Sequence, residues 1–226
     1  MIPNLIASVS PDTCFSDLWK SEIAHLRNFV VEDVRSARQF LSSLKIFPSI
    51  EELNFGVLNR ETPAESIPGL LALLQQGKDI GIISESGCPG VADPGSMAVA
   101  WAHDHQIMVK PMVGPSSIIL ALMASGMNGQ RFTFQGYLPI EQKTLNAAIV
   151  KLEKESNSGS ITQIFIESPH RNNRLLASLK KTLPPQVRLC VACDLTGTNE
   201  LVISKMVQDW PEIELPKMPC IFLFQA

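Results

Sequence analysis

The sequence predicts an α/β protein with a largely parallel sheet in its first half and a mixed sheet in its second. Short β-branched runs alternate with amphipathic segments of about ten residues. The last two apolar runs lie too close together for a helix between them, which favours antiparallel pairing there. Gly- and Pro-rich loops recur where strands end, and no longer repeat is present.

The elements follow in order. Phe29-Val30-Val31 reads as a buried strand, followed by a helix from about Asp33 to Leu44. A helix over Ile67–Gln76, closed by Gly77, precedes the strand Ile80–Ser84. A helix over Ser96–His105 leads to a third strand, Ile107–Val113. The second half opens with a helix over Pro115–Ser125, entered through Gly114-Pro115 and closed by Gly126. A strand at Arg131–Gln135, a helix at Glu141–Ser156 and a strand at Gln163–Ile166 come next. A helix at His170–Thr182 precedes strands at Arg188–Cys193, Glu200–Lys205 and Pro219–Phe224, the last two expected to pair antiparallel. The domain boundary falls at 113/114, giving an N-terminal α/β domain 1–113 and a C-terminal mixed α/β domain 114–226.

Composition removes several classes of function. Among 226 residues, 45% are hydrophobic and 18% charged, which excludes disorder as the main state. The net charge of -3 excludes a general nucleic-acid coat, though not a local basic face. The longest apolar run, Ile118 to Ala124, is far short of the ~20 residues of a membrane span. The opening Met1-Ile2-Pro3-Asn4 lacks the features of a secretory signal. Five cysteines, an odd number, point to a reducing cytoplasm. There is no G-x-G-x-x-G after a strand and no P-loop. Cys190 and Cys193 sit three apart on a predicted strand and face opposite sides, so they make no metal half-site. His103-Asp104-His105 reads as a solvated helix end, and no metal is expected.

Two loops carry the chemistry. Ser84–Gly95 follows a strand, precedes a helix, and holds three Gly and two Pro in twelve residues. It therefore lies at a carboxyl edge of the sheet, where open α/β sheets bind ligands. Val113-Gly114-Pro115-Ser116-Ser117 places hydroxyls at a helix start, where free amides point.

These stretches, with "RFTFQGYLP", "IFIESPHR" and "FVVEDVRSARQFL", resemble the tetrapyrrole methylase superfamily over about Phe29 to Phe224. Within it they look most like the branch that methylates a cytidine ribose 2′-hydroxyl of small-subunit ribosomal RNA. The resemblance implies a two-domain α/β homodimer with S-adenosylmethionine in a cleft between the domains. It carries cofactor contacts to Glu85, Ser86, Gly87, Cys88 and Pro89, then to Gly114, Pro115, Ser116 and Ser117. On the second domain it points to Glu167, Leu195, Thr196, Pro219 and Cys220. Glu32, Asp33 and Arg35 match an "EDTR" segment near the substrate entrance.

The sequence departs from that pattern in three places. The usual first strand and "PTPIGN" loop appear as a shortened Met1–Ala7, "HDHN" appears as Leu58-Asn59-Arg60-Glu61, and Glu85-Ser86 stands where "DAG" is usual. Candidate general bases for a ribose hydroxyl are Glu167, Asp33, Glu32 and His170. Arg35, Arg171 and Arg174 are the candidate RNA contacts, with Arg38, Arg60 and Arg131 behind them. The expected partner is ribosomal RNA or the small ribosomal subunit, and Phe40, Phe47, Phe55 and Trp101 are candidates for a dimer surface. A small-molecule or protein acceptor, or a cofactor-binding homologue without turnover, are the alternatives.

Overall fold

A computed structural model describes residues 1–226, which divide into two units, Met1–Ser116 and Ser117–Ala226. In the first unit, strand β1 (Asn28–Val31) is flanked by β2 (Asn54–Val57) and β3 (Ile80–Ile83), both parallel to it. Successive side chains of a strand point to opposite faces, so β1 feeds two apolar layers. Phe29 and Val31 pack with Phe15, Phe40 and Leu41, while Val30 packs with Leu58, Ile67, Leu71 and Ala98. Helices α1 (Asp17–Ile23), α2 (Val34–Ser43), α3 (Ile67–Leu70) and α4 (Gly95–Asp104) surround this sheet.

The opening residues complete the sheet edge. Ile2 donates its N–H to Ile82 O at 2.8 Å, and Asn4 donates to Gly87 O at 2.9 Å. On the other side, Met1 N meets Lys110 O at 2.9 Å and Met112 N meets Met1 O at 3.1 Å. The expected strand Ile107–Val113 forms no ladder: its backbone bonds go singly to Met1, to Ala102 O and to Trp19 Nε1, with no paired run along a neighbouring strand. Its approach to the opening segment is close: a Cβ on Gly114 would lie 2.2 Å from Pro3 Cβ, so glycine is needed there for packing.

Other expectations shift in the same unit. The helix expected over Ile67–Gln76 breaks into α3 and a 3-10 turn over Ala72–Gln76, since Pro68 and Gly69 occupy its first turn. Strand β2 was not foreseen, because Asn54 and Gly56 are poor strand formers. Helix α1 was also missed, although Ser16 caps it by accepting from Trp19 N at 3.3 Å. Phe40 is 5% exposed, and Phe47, Phe55 and Trp101 are half-buried against the cores, which leaves little of these four side chains for a second copy to cover.

In the second unit, strands β4 (Phe132–Tyr137), β5 (Thr162–Glu167), β6 (Arg188–Cys193), β7 (Leu201–Met206) and β8 (Cys220–Gln225) form one sheet. Its order is β4-β5-β8-β6-β7, with β4 and β5 parallel and the other pairs antiparallel. Helix α5 (Ser117–Ser125) packs against β6, β7 and β8. Helices α6 (Gln142–Gly159) and α7 (Asn172–Thr182) bury Leu145, Ile149, Leu175 and Leu179 against Phe165, Leu189 and Phe222.

The expected pairing of the last two strands does not form. Both β7 and β8 are antiparallel to β6, and β8 inserts between β5 and β6. The connection between them buries Trp210, whose Nε1 donates to Leu189 O at 2.9 Å. Asn172 holds Pro216 O and Met218 O, while Asn173 holds Leu215, so the chain is led past β6 before it turns back.

Candidate functional site

In the first unit, the ends of all three strands converge. Glu32 follows β1, Asn59, Arg60 and Glu61 follow β2, and Glu85 follows β3; together they line a pocket of about 320 Å³. The loop Ser84–Gly95 is held from within. Ser84 Oγ donates to Gly87 O at 3.0 Å, and Glu85 N donates to Glu32 Oε1 at 3.0 Å. Asp93 Oδ1 accepts from Gly90 N at 2.8 Å and Gly95 N at 2.6 Å, which fixes the second half of the loop. Cys88 donates its S–H to Pro115 O at 3.4 Å and so ties the two sequence-predicted loops together.

Gly87 sits at φ +69°, a conformation that a branched side chain resists. A Cβ there would meet Ile6 at 3.4 Å and Pro115 O at 3.5 Å, ordinary contacts, so backbone strain rather than lack of space dictates the glycine. Glu85 and Ser86 are exposed on this loop; Ser116 is half-buried beside it in sequence, and Ser117 begins α5 in the second unit.

The four candidate bases are now distinguishable. Asp33 caps α2, accepting from Ser36 N at 2.7 Å, and that bond holds its pKa below the usual value. Glu167 is 3% exposed; its Oε1 accepts from Ser168 N at 2.7 Å and its Oε2 lies 2.7 Å from Arg171 Nη2. That second contact is an ion pair lying off the line of an N–H hydrogen bond. His170 is exposed. Glu32 alone is half-buried in the pocket, with its pKa raised by burial against the opposing hydrogen bond from Glu85. Asp93 and the Cys88 thiol are also pushed up, chiefly by burial.

The candidate RNA contacts are less free than the sequence implies. Arg171 reaches Glu167 and Leu138 O, and Arg174 donates to Ile140 O and Gln142, so both brace the loop before α6. Arg38 stacks over Phe55 at 5.4 Å. Arg60 lines the pocket, whereas Arg35 stands on α2 beside Glu32 in sequence.

In the second unit, the β6–β7 turn carries Leu195, 6% exposed, and Thr196 at φ +70°, rare for a β-branched residue. Thr196 N donates to Glu200 Oε2 at 2.7 Å, but its hydroxyl is buried without a protein partner. Pro219 precedes β8. The Cys220 side chain is turned inward, bonded to Cys193 across the β6–β8 register at a Cα–Cα distance of 4.4 Å, and it accepts from Asn172 Nδ2. The odd cysteine count thus resolves into one pair and three free thiols, Cys14, Cys88 and Cys190. Burial pushes the Cys190 thiol up to about 12. Sequence reasoning missed Asn4, Asn59 and the cysteine pair; the buried asparagine in an otherwise apolar opening was the available signal.

The fold is that of the tetrapyrrole methylases. The solved structure of the methyltransferase CobJ superposes with a TM-score of 0.61 at 16% identity, over 95% of this chain and 90% of that one. Sequence relatives are more specific: the chain is a homologue of proteins named Ribosomal RNA small subunit methyltransferase I. That of Synechocystis sp. is 30% identical over 191 residues, 81% of this chain and 65% of its own length. That of Mesorhizobium japonicum is 35% identical over 152 residues, 65% of this chain and 50% of its own. The chain thus spans about half to two thirds of the curated relatives it matches. No family model matches it.

Proposed function

We propose that the protein is an S-adenosylmethionine-dependent methyltransferase whose acceptor is a ribose 2′-hydroxyl of small-subunit ribosomal RNA. The observation that carries this reading is the tied loop Ser84–Gly95 beside half-buried Glu32 at the strand ends, in a chain homologous to enzymes of that name. The residues fit the cofactor. Asp93 Oδ2 and Thr196 Oγ1 are buried polar atoms without protein partners, and a cationic sulfonium relieves the burial cost of carboxylates such as Glu32. In the first unit the proposed cofactor contacts are the Glu85–Pro89 and Gly114–Ser116 loops; in the second, taken by itself, the candidates are Ser117, Leu195, Thr196 and Pro219. Glu167 and Cys220 have side chains engaged elsewhere, with Arg171 and Cys193, and are not among the proposed side-chain contacts.

When bound, the cofactor would supply a sulfonium methyl group for in-line transfer to the acceptor oxygen, its sulfur leaving as the neutral thioether. The protein's own part is alignment and proton removal. Glu32 Oε1 is pinned by the Glu85 amide, and its burial-raised pKa suits a carboxylate that takes the hydroxyl proton as attack proceeds. Arg60 and Arg35 are the proposed phosphate contacts, since Arg171 and Arg174 are committed to internal bonds.

The protein acts in the cytoplasm as a homodimer in this reading. No helix is long and apolar enough to cross a membrane. Met123 on α5, with Phe132 and Tyr137 on the edge strand β4, are exposed apolar side chains that a second copy would cover. The decisive experiment maps ribose methylation of ribosomal RNA in cells with and without the protein. One lost methyl in the small subunit is expected; identical maps, with no transfer to purified subunits, overturn the assignment.

A further inference from the structure

The geometry points to Asn4 as the residue that positions the cofactor loop, an inference that rests on the function proposed above. Asn4 is 6% exposed, and its carboxamide nitrogen, carboxamide oxygen and backbone N–H each meet a specific partner. Its Nδ2 donates to Ser84 O at 3.1 Å and to Glu85 O at 3.0 Å. Its backbone N–H donates to Gly87 O at 2.9 Å, and its Oδ1 accepts from Leu5 N at 2.7 Å. Ser84 Oγ shares its single proton between Gly87 O at 3.0 Å and Ser86 O at 3.3 Å.

Every carbonyl from Ser84 to Gly87 is thereby bound by a donor inside the protein. That fixes the peptide planes of the turn and leaves the Glu85 and Ser86 side chains on its exposed side. The arrangement requires a double donor. An aspartate of the same shape would set a carboxylate against two carbonyls, and an alanine would leave both carbonyls unmet. Asn4 also belongs to the opening segment, anchored independently through Ile2 N to Ile82 O, so its carboxamide acts on the loop rather than building the sheet. It touches no reacting atom, and its role is to hold the loop in the shape the ligand meets.

The test uses the full chain with S-adenosylhomocysteine, the demethylated product, as the calorimetric probe. Asn4→Asp and Asn4→Ala are each expected to weaken binding about tenfold or more while circular dichroism shows a folded protein. A second readout separates positioning from general damage. A protonated aspartic acid regains one donor, so the Asn4→Asp affinity, relative to wild type, is expected to recover as pH falls from 8 toward 5. Asn4→Ala is expected to show no such recovery. Glu32, Glu85 and Asp93 also carry charge at the loop, in wild type and variants alike, which is why the ratio is read. Should Asn4→Asp fail to fold, the affinity of Asn4→Ala with localised amide shifts at residues 84–88 carries the test. Wild-type affinity in folded Asn4→Ala overturns the inference. Failure of the wild-type protein itself to bind the probe overturns the proposed function instead.

Discussion

Glu32 shows how one side chain serves the site at a cost to stability. Its folded pKa is raised, chiefly by burial, so the folded state holds its proton more tightly than the unfolded chain. Stability from this group is therefore greatest below the unfolded value and falls as pH rises through the folded one. Glu32→Gln, which keeps the shape without the charge, is expected to raise Tm at pH 7.5 and to lose that gain at pH 4.5. The same variant should lower kcat for methyl transfer about a hundredfold, because the proton acceptor is gone. A variant with full activity would exclude Glu32 as the base. Gly87→Val tests the loop differently: at φ +69° the branched side chain strains the turn, and cofactor binding should be lost in a protein that still folds. The glycine was legible from sequence, but the cause of its effect was not, since strain at one dihedral leaves no mark beyond the residue type.

Among the elements, those decided by local chemistry are legible in the sequence. Asp33 before α2, Gly77 after the 3-10 turn and the apolar runs of β1, β3 and β6 announce themselves. Those decided by distant packing are not. Strand β2 has poor intrinsic propensity and exists because its backbone pairs with β1, Phe29 opposite Phe55. The order of β7 and β8 depends on Trp210 and two asparagines that pull the connection aside, a choice no spacing rule encodes. Capping can be weighed directly. Asp33→Ala removes the acceptor for Ser36 N and is expected to lower the urea midpoint at pH 7. The loss should fade as pH falls through the lowered pKa of Asp33, since protonation weakens the cap in the native protein too. A pH-independent difference would mean the cap contributes by shape alone.

At the scale of the whole molecule, the two predictions concern mass and charge. Light scattering should give twice the 24.8 kDa chain mass, and a value near one chain would remove the dimer from the proposal. With a net charge of -3, RNA affinity must come from a few local contacts. Its logarithm should fall by about 0.7–0.9 per phosphate contact per log unit of salt. Arg60→Ala should flatten that slope by one contact and leave cofactor affinity unchanged, whereas an unaltered slope would discard Arg60 as a phosphate ligand. The division into a parallel and a mixed sheet was visible in the rhythm of the sequence, because crossover helices need length. The convergence of Glu32, Asn59 and Glu85 was not, because it depends on which strands lie side by side.

The opening segment also bears on how the protein assembles in time. Ile2 pairs with Ile82 and Met1 with Lys110, so the edge of the first sheet waits for residues about a hundred positions downstream. Loop closure over that span is entropically slow to reach, and contacts of such high sequence separation belong to late folding steps. Until they form, β3 presents an unpaired edge, the kind of surface on which nascent chains associate wrongly. A protein emerging from a ribosome would thus carry the Ser84–Gly87 turn unfinished until the first unit had left the exit tunnel. That turn would reach its final shape late, once Ile2 and Asn4 had docked beside β3.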